Sequence, residues 1–166
     1  MRLGAQRVFE FGCVSILMRL SRLMLAMSIA ALMPAIVHSQ AGCTLRIHVD
    51  GLRNNHGNIG TVVYLSADGW PEDTSKAFRK GPAPIGADGH SGTAVWENLP
   101  EGDYAVAAIH DENSNAKLDK NFLGIPKEGF GFANNPHVGW SPAPFKAALV
   151  HVGCPETEIE IHIIYK

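Results

Sequence analysis

From residue 43 onward, apolar and polar positions alternate with the period of two that marks a strand with one buried face. Leu45, Ile47 and Val49 fall on one side, and Arg46, His48 and Asp50 on the other. Asn54, Asn55, Gly57 and Asn58 supply turn chemistry before a second apolar run at residues 59–65, so these two runs are expected to pair as a hairpin. Trp70-Pro71-Glu72-Asp73 has proline and acids where a short helical turn would start. Residues 77–85 form a weaker strand candidate. Pro82 and Pro84 cannot donate to a ladder, which places that strand at a sheet edge. Residues 92–99 alternate clearly, and residues 104–110 are almost continuously apolar, as in a strand covered on both faces. Runs at 145–152 and 156–165 complete the set, the last alternating Ile159, Ile161 and Ile163 with Glu158, Glu160 and His162.

Seven short strands separated by turn signals, with no sustained helical period, predict an all-β chain forming a single antiparallel β-sandwich of about seven strands. One long ordered loop, residues 111–144, interrupts the pattern. Loops of that length in a compact domain are usually functional or disordered. Phe122, Leu123, Ile125, Phe130, Phe132 and Trp140 argue for order, and they are expected to fold back over one end of the sandwich as an aromatic cap. Exposed, the same rings would instead offer a recognition surface at low entropic cost.

The N-terminal 39 residues stand apart. Arg19 and Arg22 precede an apolar run at residues 23–37, about the length of a signal-peptide core and short for a bilayer span. Val37 and Ser39 suit cleavage before Gln40, and Met18 opens a more usual signal than Met1 does. The expected organisation is a removed signal peptide, 1–39, followed by one β-sandwich domain, 40–166, in the periplasm or outside the cell; a retained anchor is the alternative. No stable membrane span is expected after cleavage. Without the four arginines and one glutamate of residues 1–39, the chain carries 10 basic and 15 acidic residues, a formal charge of −5. That balance argues against nucleic acid, because phosphate binding needs a basic surface.

Cys13 lies in the signal segment, leaving Cys43 and Cys154. An even pair in an exported domain reads as a disulfide, here closing nearly the whole domain into one loop and worth about 4–5 kcal/mol by loop closure. Lipidation of Cys43 beside Gly42 is the competing reading, against which Gln40 stands where a lipobox has an aliphatic residue.

The start of the long loop spaces oxygen donors as a calcium loop does. Asp111, Asn113, Asn115 and Asp119 fall at positions one, three, five and nine of an EF-hand-type loop, and the Lys117 carbonyl would supply position seven. Ala116 replaces the glycine of position six and Phe122 the bidentate glutamate of position twelve, for which Glu112 or Glu128 could substitute. The same side chains can instead form an Asx-rich turn without metal by bonding nearby backbone N–H groups. No H-x-x-x-H or H-x-x-H pair appears among the eight histidines. His48 and His162 sit on polar strand faces. His110, Asp111 and His137 could meet at one rim, the only candidate for a metal-dependent acid–base site. No G-x-S-x-G or equivalent nucleophile motif is present.

Asn98-Leu99-Pro100-Glu101-Gly102-Asp103-Tyr104-Ala105-Val106 is similar to the turn and strand of transthyretin-like and carboxypeptidase-regulatory-type sandwiches. Followed by H-D-E-N-S-N-A-K-L-D-K-N-F-L-G-I-P-K-E-G-F-G-F-A-N-N, it resembles the bacterial family known as domain of unknown function 2141. The resemblance extends to Gly51-Leu52-Arg53, to residues 64–71 and to residues 88–99. It implies an exported immunoglobulin- or transthyretin-like sandwich with no established activity. The expectation is therefore a non-catalytic binding or assembly module of the cell envelope, with an envelope or extracellular protein or ligand as partner and a Ca2+-stabilised loop at 111–119. The alternative is a small metal-dependent enzyme at the His110/Asp111/His137 rim.

Overall fold

A computed structural model describes residues 42–166; the expected signal segment and its cleavage point lie outside the described residues. Eight strands form: β1 (Cys43–Asp50), β2 (Asn58–Tyr64), β3 (Arg79–Ala83), β4 (Gly92–Leu99), β5 (Gly102–Asp111), β6 (Gly129–Phe132), β7 (Leu149–Val152) and β8 (Glu156–His162). They build a sandwich of two sheets. One has the order β4-β1-β8, the other β3-β2-β5-β6, with β7 also paired to β5. The all-β sandwich agrees with the alternating pattern, and edge strand β3 lies where Pro82 places it.

Four details differ from the sequence expectation. First, β1 and β2 do not pair as a hairpin. β1 pairs with β4 and β8, and β2 with β3 and β5, so the turn at residues 51–57 carries the chain between sheets. Second, β1 and β8 run parallel, Leu45 opposite Thr157 and Val49 opposite Ile161. Third, the helical turn begins at Thr74, where the Asp73 carboxylate caps it by accepting from the Ser75 N–H. Fourth, the run beginning at Phe145 opens as a 3-10 turn, Phe145–Ala148, before β7.

β5 organises the second sheet because both of its faces are covered. Tyr104, Val106 and Ala108 belong to the core between the sheets, with Leu45, Ile47, Val49, Ile59 and Ile161. The intervening Ala105 and Ala107 join a second cluster with Tyr64, Phe130, Phe132, Val138 and Ala143, on the opposite face as strand pleating requires. One edge of β5 takes β6 opposite residues 107–110 and β7 opposite residues 102–105.

The sequence Gly-Phe-Gly-Phe explains β6. Phe130 and Phe132 bury in the second cluster, while the glycines face the C-terminal segment. A Cβ on Gly131 would lie 2.6 Å from the His162 carbonyl oxygen, and one on Gly129 2.4 Å from Ile163 Cγ2. The expected aromatic cap is thus only partly formed. Phe130 and Phe132 are buried, whereas Phe122, Leu123 and Trp140 are 95%, 68% and 95% exposed. The reason is strand pairing: β6 hydrogen-bonds to β5 and carries its two rings onto the sheet, and no such pairing reaches the other three.

Cys43 and Cys154 form a disulfide between the start of β1 and the segment before its parallel neighbour β8. Among the described residues no helix is long and apolar enough to cross a membrane. Both facts are compatible with an exported protein.

Candidate functional site: the loop between β5 and β6

β5 ends at Asp111, which is buried, and its carboxylate organises the turn that follows. Oδ1 accepts from the Asn115 N–H at 2.9 Å and Oδ2 from the Ala116 N–H at 2.7 Å. Asn113 Oδ1 accepts from the Asn115 N–H at 3.1 Å and Asn115 Oδ1 from the Lys117 N–H at 2.8 Å, as in successive Asx turns. The amides of Asn113 and Asn115 then converge on Asp119, donating to Oδ2 at 2.7 Å and Oδ1 at 3.1 Å. Sequence spacing therefore identified residues that do meet in space. Lys117 joins the network through its N–H, not through the carbonyl a cation would use.

Ser114 and Ala116 have φ of 58° and 60°. Ala116 adopts the left-handed backbone that glycine would supply at this position, at a cost of about 1–2 kcal/mol, and Asp111 Oδ2 holds its N–H in place. The tight turn thus forms without its glycine.

Glu128 closes the loop from the other end. It is 3% exposed, and its oxygens accept from the Glu112 N–H at 2.9 Å and the Asp119 N–H at 3.0 Å. Its position follows from sheet register, because His110 of β5 faces Gly129, the next residue, across the ladder. Glu112 turns outward to Arg53, whose Nε and Nη2 donate to its two oxygens at 2.8 and 2.6 Å, and Asn54 Nδ2 adds a bond at 2.7 Å. This fork, above all the Arg53 hydrogen bonds, holds the Glu112 carboxyl down at about 2. Arg53 also donates to the Lys127 carbonyl at 3.2 Å and stacks over the Tyr165 ring, 4.6 Å from its centroid. One side chain thereby ties both ends of the loop to the turn after β1.

Among the described residues no three His, Cys, Asp or Glu side chains converge in metal-ligating geometry. A hard cation here would need carboxylate, amide and carbonyl oxygens together. The donor set suits that: Asp111, Asn113, Asn115 and Asp119 are gathered in one turn, and an oxygen that accepts one N–H keeps a second lone pair. Asp111 and Glu128 are moreover buried carboxylates that form no salt bridge to a Lys or Arg side chain among the described residues.

The rim proposed for acid–base chemistry is arranged differently. His110 is fully buried, with Nδ1 2.6 Å from Tyr165 Oη and Nε2 3.0 Å from the His56 carbonyl oxygen. Successive strand residues point to opposite faces, so His110 and Asp111 diverge. His137 is exposed and lines a shallow groove of about 440 Å³ with Phe132, Val138, His162 and Tyr165. The structure brings no two of the three onto a shared hydrogen-bonding partner.

Beyond the braced turn, the chain makes a tight tip. Lys120 bridges to Pro126, the Asn121 N–H donates to the Ile125 carbonyl at 2.8 Å, and the Gly124 N–H returns to the Asn121 carbonyl at 2.9 Å. Asn121 Oδ1 accepts from the N–H groups of Leu123 and Ile125 at 2.9 and 3.0 Å. Gly124, at φ 79°, completes the turn. Phe122 and Leu123 therefore project from an ordered backbone into solvent. The apolar content of this stretch was visible in the sequence; its outward direction was not, because nothing local distinguishes Phe122 from the buried Phe130.

No curated protein and no solved structure matches the chain. The model of the family described as an uncharacterised protein conserved in bacteria, DUF2141, matches residues 47–160, a span that runs from β1 into β8 and includes the braced turn and its tip, and the chain belongs to that family.

Proposed function

We propose that this chain is an exported, non-catalytic binding or assembly module of the bacterial envelope, whose loop between β5 and β6 is the contact element. The observation that carries the reading is the pairing of a hydrogen-bonded base with an ordered tip whose two large apolar side chains touch solvent. Leaving Phe122 and Leu123 out of the core forgoes about 1.5–3 kcal/mol for each, a cost that a contact made outside the domain would offset. A photo-crosslinking residue at position 122, expressed in the exporting cell, is expected to give a discrete adduct. A yield no higher than from the exposed Glu97 position would sink the reading.

Calcium is a second element of this proposal, supported by the two buried carboxylates without cationic side-chain partners. Bound Ca2+ would supply positive charge to that cluster, with Asp111, Asn113, Asn115, Asp119 and the Lys117 carbonyl as its donors and Glu128 bracing them. Calorimetric titration of chelated 40–166 with Ca2+ and Zn2+ is expected to show calcium uptake and a raised melting temperature, both lost in Asp111→Ala. If calcium leaves the unmutated domain unchanged, the Asx network alone maintains the turn.

A further inference from the structure

We infer that the Phe122–Leu123 tip docks on an anionic lipid bilayer surface. The inference rests on the binding-module reading and specifies its partner. Three observations converge on it.

The first is size. A stable protein–protein interface takes about 800 Å² from each partner, more than a tip of two side chains offers, whereas a fluid bilayer closes around a small protrusion. The second is charge. The domain carries 10 basic against 15 acidic residues, yet the tip is flanked by Lys117, Lys120 and Lys127. Lys117 and Lys127 are exposed, and their side chains make no ion pair among the described residues. Lys120 pairs with the exposed Glu72 at 2.7 Å. The other acids facing the loop are Asp111 and Glu128, which are buried, Asp119, which accepts both Asn amides, and Glu112, which is held by Arg53. Of the charged side chains exposed around the apolar tip, three are lysines and one, Glu72, is acidic, and exposed lysines beside an apolar protrusion are what anionic headgroups attract. The third is order. The Asn121 bonds and the Lys120–Pro126 bridge fix the tip before contact, so little backbone entropy is lost on docking.

The test is sedimentation with vesicles of phosphatidylglycerol and phosphatidylcholine in equal parts, and with phosphatidylcholine alone. Residues 40–166 are used, since they contain every described strand, both apolar clusters and the disulfide. The apolar run at 23–37, which would partition by itself, is omitted. Binding to the anionic vesicles is expected to exceed binding to the neutral ones and to weaken with salt. It is expected to fall roughly tenfold or more in Phe122→Ser/Leu123→Ser, and similarly in Lys117→Glu/Lys127→Glu. Unchanged melting temperatures would show that the variants fold.

Failure of the unmutated domain to bind anionic vesicles overturns the inference, and so does equal binding by the tip variant. If vesicles bind nothing but the domain self-associates through Phe122 and Leu123, the occupant is a second copy; the bilayer inference then fails and the binding-module reading survives. If position 122 gives no adduct in cells either, both fail.

Discussion

The two halves of the β5–β6 loop teach opposite lessons about polar and apolar side chains. In the base, residues 111–119, most polar side chains are engaged by the protein itself: Asp111, Asn113, Asn115, Asp119 and the incoming Glu128 all bond within the loop. In the tip, a few residues on, Phe122 and Leu123 face water. A polar segment has become hydrogen-bonded scaffold and an apolar one has become bare surface. The difference arises from the backbone. Tight turns leave N–H groups without ladder partners, which short Asp and Asn side chains can satisfy and phenylalanine cannot. The polar half is therefore recruited to hold the turn, and the apolar half is displayed on it.

This contrast can be broken most severely at Gly57. Its φ is +71°, and an added Cβ would lie 1.9 Å from the Asp111 carbonyl oxygen, so the turn after β1 fits against the base only without a side chain. Gly57→Ala should lower stability by about 3 kcal/mol or more, combining overpacking with left-handed strain. A melting-temperature loss of only a degree or two would show that the base is not locked against that turn.

A smaller effect should come from acid. The folded Glu112 carboxyl, at about 2, lies below its ordinary 4.5, so its contribution is complete above about 4.5 and is lost as pH falls through about 2. Because Arg53 is half exposed, solvent screening leaves about 1–2 kcal/mol of the full linkage value. Denaturant titrations over that pH window should give a shallower acid dependence for Glu112→Gln than for the unmutated domain. Parallel curves would remove the Arg53–Glu112 fork from the description of the base.

The smallest effect belongs to the tip. Phe122→Ser/Leu123→Ser should change stability by no more than about 0.5 kcal/mol, since neither side chain joins an apolar cluster. A loss above 2 kcal/mol by chemical denaturation would mean that these residues pack within the domain and that the contrast is false.

Much of this was legible along the chain because the strands repeat with period two. The alternation of β1, the both-faces burial of β5 and the edge position of β3 all depend on local residue type and spacing. The calcium-like spacing likewise singled out four residues that share one hydrogen-bonded turn. Glu128 was legible only as one of two possible stand-ins, because β6 is four residues long and half glycine, too short and irregular a signal for a strand. The β1–β2 hairpin was expected because a turn and two apolar runs look the same whether the chain returns within one sheet or crosses to the other.

The sequence by itself determined an all-β domain, its edges, its pair of cysteines and the residues of a specialised loop, since each depends on short-range periodicity or on residue chemistry. Tertiary structure alone decided which strands are neighbours, that β1 and β8 run parallel, that His110 is sealed inside while Asp111 turns away from it, and that Phe130 is covered while Phe122 is bare. Those outcomes depend on partners distant along the chain: Tyr165 for His110, Arg53 for Glu112, and β5 for β6. No local pattern encodes the register that brings such partners together.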